Sequence, residues 1–129
     1  DKNKIYKSDK KLCEFASLSE IYKFSYEDIV KRAKTIDAIW FNERNLPNSF
    51  YEVEHSTDFK NSLNKFYELQ DFNARMFIVA DKMRQREYES VLRASIYEQI
   101  AQKVKFASYE DISRQLERES EQAFIKMGI

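Results

Sequence analysis

Apolar residues gather along this chain in short dense runs, and two of them set the rest in order. Ile36-Asp37-Ala38-Ile39-Trp40-Phe41 and Phe50-Tyr51-Glu52-Val53-Glu54-His55-Ser56-Thr57 are rich in aromatic and branched side chains, which suit a pleated surface. Between them, residues 42–49 hold Asn42, Asn45, Pro47, Asn48 and Ser49. The pattern predicts a strand, a turn and a second strand. Arg75-Met76-Phe77-Ile78-Val79-Ala80 is an apolar run of strand length, expected as a central strand covered on both faces. Lys103-Val104-Lys105-Phe106 alternates and predicts an edge strand whose lysines discourage pairing with other chains.

The remaining apolar positions follow a helical period. Leu12, Phe15, Ala16 and Leu18 predict a first helix from about Asp9. Ser25, as N-cap, and Asp28 open a second, so that residues 26–35 are expected to be helical. Phe59, Leu63, Phe66 and Leu69 form one stripe, with Tyr67 at its edge, on a helix capped by Ser56 or Thr57 and running to about Phe72. It should make a right-handed crossover to the strand at 75–80. Gln70 falls inside that stripe and needs partners there, either backbone groups or a water or ligand at a site. Residues 81–102 read as one helix or two, with Met83, Tyr88, Val91, Leu92, Ile96 and Ile100 turned inward. Residues 108–126 read as a last amphipathic helix carrying Ile112, Leu116 and Phe124, with Gly128 marking its end. The expected fold class is therefore α/β, a small mixed sheet of about four strands flanked by helices.

At 129 residues with 43% hydrophobic and 15% aromatic content, residues 1–129 are expected to form a single domain with a packed core. The 22 basic and 22 acidic residues cancel, whereas a module that grips DNA alone usually carries a basic excess. A single cysteine excludes an internal disulfide, which favours an intracellular, cytoplasmic setting. No apolar run reaches the roughly 20 residues of a membrane span, so no membrane partner is expected. The chain begins at Asp1 rather than Met, the expected mark of a piece of a longer protein.

Strand alternation points Glu52 and Glu54 the same way, and a hairpin lays Asp37 beside them. Two like charges about 5 Å apart repel by roughly 3 kcal/mol at an effective dielectric near 20, so three converging acids call for a cation. Hard oxygen ligands with no Cys or His cluster nearby favour Mg²⁺, or Mn²⁺, over zinc.

An Asp on one strand, then an acid, one residue and a third site-facing residue on the next, followed by a helix, resembles the PD-(D/E)XK nuclease superfamily. The matching positions are Asp37 and Glu52-Val53-Glu54, over a span of roughly 14–106. Glu54 stands where the motif usually has Lys, as in some type II restriction endonucleases. A further departure is the helical reading of residues 26–35, where members often have another strand. The resemblance implies a restriction-endonuclease-like, Mg²⁺-dependent DNA endonuclease domain of a restriction or defence protein. Asp37 and Glu52 would hold the metal, while Glu54 would orient water, hold a second metal or act as general base. Glu14 or Glu20, from the first helix, and Gln70 would support the site. Thr57 and Lys60 would contact phosphate, and His55, on the opposite strand face or just past the strand end, is either a packed or turn residue or a further phosphate contact. Lys60 and Lys65 are also candidates for a lysine moved onto the helix, but the helical phase turns Lys65 away from the apolar stripe and sets Lys60 at its flank. The resemblance also implies DNA as partner, a recognition domain elsewhere in the parent chain, and a homodimer if both strands are cut. The alternatives are a nuclease-like DNA-binding or assembly module that no longer cuts, and a solvent-facing strand whose acids merely pair with Lys or Arg.

Overall fold

A computed structural model describes residues 16–18, 21–119 and 124–127. Its elements in chain order are β1 Ala16–Leu18, α1 Glu27–Ala33, β2 Ala38–Phe41, β3 Pro47–Val53, α2 Lys60–Glu68, β4 Arg75–Ala80, α3 Gln85–Leu92, β5 Val104–Ser108, α4 Tyr109–Glu119 and β6 Phe124–Met127. Short 3₁₀ turns at Lys82–Arg84 and Ser95–Tyr97 flank α3. The expected α/β class holds, with a mixed sheet in the order β1-β6-β2-β3-β4-β5. The strands expected from the sequence are β2 to β5, and two short segments extend the sheet to six.

Both added strands fall where helix was expected. Ala16–Leu18 pairs parallel with β6, and Phe124–Met127 pairs antiparallel with β2, matching Ala38 to Met127 and Phe41 to Phe124. The reason lies in β2: all four of its residues are buried, so it needs a neighbour on each side, and an apolar edge strand left bare would recruit other chains. Tertiary pairing thus overrides local helical spacing at both places.

The β2–β3 hairpin turns more tightly than the apolar runs suggest. The Asn42 side-chain oxygen accepts from the Arg44 and Leu46 amides, and Asn45 takes the left-handed conformation at φ 63°, which Asn tolerates better than most residues. β3 therefore begins at Pro47, beside a register shift between Trp40 and Phe41. Strand starts and bulges are the places a sheet accepts proline.

Downstream of the hairpin, β3, β4 and β5 run parallel. α2 carries the chain from β3 to β4 and buries Phe59, Leu63, Phe66 and Leu69 with Phe50, Met76 and Ile78 in the larger core. On the opposite face, Tyr109 and Ile112 of α4 pack with Ala38, Trp40, Tyr51 and Val79. Between β4 and β5, Tyr88 and Ile100 are buried as expected, whereas Met83 is 91% exposed and Ile96 65% exposed. The chain there is not one continuous helix: Asp81 caps a 3₁₀ turn by accepting from the Met83 amide, and the break resets the helical phase. Both helix caps expected near the hairpin also move. The residue before α1 is Tyr26, and α2 starts at Lys60 after Phe59, with no side-chain cap bond at either position. Among the described residues no helix is long and apolar enough to cross a membrane.

Candidate functional site

The hairpin opens one step beyond the Ala38–Tyr51 pair, and there two carboxylates replace ladder partners. The Asp37 amide donates to Glu52 Oε2 at 2.7 Å, and the Val53 amide donates to Asp37 Oδ2 at 2.7 Å. Each acid thus caps the other strand's backbone, which fixes the two side chains against one another. Phe50 points into the larger core and Tyr51 into the smaller one, so alternation places Glu52 on the α2 face.

On that face α2 supplies two partners. Ser62, fully buried, donates to a Glu54 carboxylate oxygen and lies 3.2 Å from Glu52 Oε1. Lys65 sets its Nζ 2.9 Å from Glu52 Oε1 and donates to the Thr35 carbonyl at 2.8 Å. Lys65 had been expected to point away from the apolar stripe. It does lie off the stripe, but on the flank beside Ser62, and its four-carbon stem reaches around to the acid. The spacing of Ser62 and Lys65, three apart on one helix, is the signal that could have found both.

Glu52 is 2% exposed. Its carboxyl is raised from 4.5 to about 7, first by burial and then by the charge of Asp37, while the Lys65 and Asp37 N–H bonds and the Lys65 charge pull it down. Near neutrality a proton on Glu52 is therefore finely balanced, as perturbed acids in functional sites often are.

Glu54 is 6% exposed, and its carboxylate accepts from Ser62 and from the Thr57 hydroxyl. Thr57 lies two residues before Phe59, the residue that precedes α2, and its hydroxyl donates to Glu54. His55 lies on the opposite sheet face, with Nδ1 3.4 Å from the Tyr109 hydroxyl. Lys60 is exposed at the first turn of α2. Gln70 stands outside the cluster: α2 ends at Glu68, so the helical phase does not reach Gln70, and its amide donates to the Tyr67 carbonyl. Glu14 and Glu20 lie outside the described residues.

Sequence reasoning also missed Arg84, which reaches from the turn after β4 to the Thr57 carbonyl at 2.6 Å. Asp37 is joined to Glu52, and Glu52 shares Ser62 with Glu54, but among the described residues no group of three or more His, Cys, Asp or Glu forms a metal-holding cluster. The Asp37 and Glu52 carboxylates instead accept from the Val53 and Asp37 amides and from Lys65.

Residues 1–127 match the family model described as the type II restriction enzyme NmeDI C-terminal domain. No curated protein and no solved structure matches the chain.

Proposed function

The chain belongs to the family of the type II restriction enzyme NmeDI C-terminal domain, and from that footing we propose that it is a PD-(D/E)XK-type, Mg²⁺-dependent DNA endonuclease domain of a restriction or defence protein. The observation that carries the reading is the buried Glu52, wedged between Asp37 and the Lys65 ammonium at the mouth of the hairpin. Asp37 and Glu52 would hold Mg²⁺ or Mn²⁺. When bound, that ion supplies Lewis-acid polarisation of the scissile phosphate and a more acidic water.

The chain's own residues divide the remaining work. Lys65 takes the role of the motif lysine from α2: its ammonium neutralises charge building on the phosphate oxygens, while Glu54 accepts the proton that the attacking water gives up. Glu54 serves as the third acid, its orientation set by Ser62 and Thr57. Lys60, exposed one turn before Asn64, is a phosphate contact. A recognition domain in the parent chain supplies the DNA grip that a zero net charge denies this one, and two copies together cut both strands.

The purified protein should nick plasmid DNA only with Mg²⁺ or Mn²⁺. Glu52→Ala and Lys65→Ala should each lower the rate by about a hundredfold or more, in the range of lost acid–base or electrostatic groups, while Arg93→Ala leaves it unchanged. Equal rates in wild type and Glu52→Ala would end the nuclease reading.

A second reading, a nuclease-like module that binds DNA or assembles without cutting, is favoured by one feature. Each of the three carboxylates already holds a donor from the protein itself. DNA binding by a wild type that cuts no substrate with any divalent metal would select it.

A further inference from the structure

The segment between β3 and α2 carries Glu54, His55 and Thr57, yet residues 54–57 belong to no helix or strand. Its backbone joins the sheet where the Glu54 amide donates to the Val79 carbonyl at 2.9 Å. Beyond that point the Arg84 guanidinium takes over. One amino group donates to the Thr57 carbonyl at 2.6 Å, and the other sits 3.5 Å from the Glu54 carbonyl. The fork therefore spans both ends of the segment.

The guanidinium is itself held on two other sides. It stacks 4.3 Å over the Phe59 ring, and Glu87 of α3 accepts from it at 2.7 Å and 3.3 Å. Planarity and five fixed donors allow arginine to meet all of these partners at once, which a lysine ammonium cannot do. Thr57 in turn binds Glu54: with its carbonyl pinned by Arg84, its hydroxyl lies on the Glu54 carboxylate opposite Ser62.

We infer that Arg84 is a positioning residue, whose fork closes the 54–57 segment and thereby fixes the Glu54 carboxylate between Ser62 and Thr57. Its catalytic consequence rests on the nuclease reading above; its structural consequence does not. Arg84 touches neither Asp37 nor Glu52 among its bonded partners, so it acts through Glu54. The lysine variant keeps the charge and loses the fork, which separates geometry from electrostatics.

The test compares wild type, Arg84→Lys and Arg84→Gln by residue-resolved amide exchange and by plasmid-nicking kinetics with Mg²⁺. Loss of the clamp frays the end of β3, so the Glu54 amide should exchange about tenfold faster, the worth of one charge-assisted hydrogen bond, while the amides of β4 keep their rates. In a cleaving enzyme kcat should fall about tenfold or more in both variants, with KM for DNA within about twofold. An unchanged Glu54 amide rate overturns the inference, as does a faster rate with kcat intact. A raised KM at constant kcat also overturns it, because Arg84 would then be gripping DNA. If wild type cuts nothing, the nuclease reading falls and the amide rates alone decide the role of Arg84. Should Arg84→Gln fail to fold, Glu87→Gln removes the outer partner of the guanidinium. It should accelerate the same amide by a smaller factor, and no change there counts against the clamp.

Discussion

Replacing Glu52 by Gln removes a titratable group from a position that burial and Asp37 both make costly for a negative charge. In the folded chain the Glu52 carboxyl is raised from 4.5 to about 7 by burial and by Asp37. At about 1.4 kcal/mol for each tenfold change in proton affinity, ionised Glu52 costs the folded state roughly 3 kcal/mol relative to its neutral form. The sign follows from proton counting. Between the unfolded value of 4.5 and the folded value of about 7, the folded state holds more protons than the unfolded one. The stability this lends is fully present below 4.5 and is lost as pH rises through about 7. Wild type should therefore lose up to about 3 kcal/mol of stability between pH 5 and pH 8, and Glu52→Gln, always neutral, should keep it. The assay is urea unfolding at both pH values, with the slope checked for constancy. A variant less stable than wild type at pH 8, or a wild type equally stable at both, would refute the argument. Gain of stability with loss of nicking would be the expected trade at a functional acid.

Lys65→Met withdraws the cation that lowers the Glu52 value. It should destabilise the chain by about 1–2 kcal/mol at pH 8, discounted because the Lys65 side chain is one quarter exposed. The difference should shrink at pH 5, where Glu52 carries a proton, as paired urea titrations would show. Leu63→Ala opens the larger core under the sheet, where Leu63 is fully buried, and should cost about 2–5 kcal/mol by thermal or urea unfolding. Ser108→Ala removes the hydroxyl that accepts from the Asp111 amide at the start of α4 and should cost about 1 kcal/mol. Separately, Ser108 and Arg114 hold the Asp111 carboxyl below its usual range, so the contribution of that carboxylate should be lost only as the solution is acidified below about 4, as urea unfolding at low pH would show.

The parts of the molecule legible in the sequence are those where local pattern and tertiary need agree. β4 reads as a central strand because it is apolar on both faces, and Asp37 meets Glu52 because the hairpin register sets the two opposite one another. β1 and β6 were not legible, since the need they meet belongs to a distant strand, β2, and leaves no mark on their own spacing. For Gln70 the backbone alternative holds, its amide donating to the Tyr67 carbonyl, although the helix that was to place it ends at Glu68. Lys65 and Arg84 share a third cause. Each acts through a long stem on a backbone or carboxylate remote in sequence, and phase alone reports where a stem leaves the helix, not where its tip arrives.

The strand that carries Asp37 into place has one neighbour made soon after it and another, β6, made after every other element described here. During synthesis the hairpin would thus emerge with a raw apolar flank, and its final seating must wait until β6 has left the ribosome. A cell making this domain is thereby given a delay between translating the acids and assembling them.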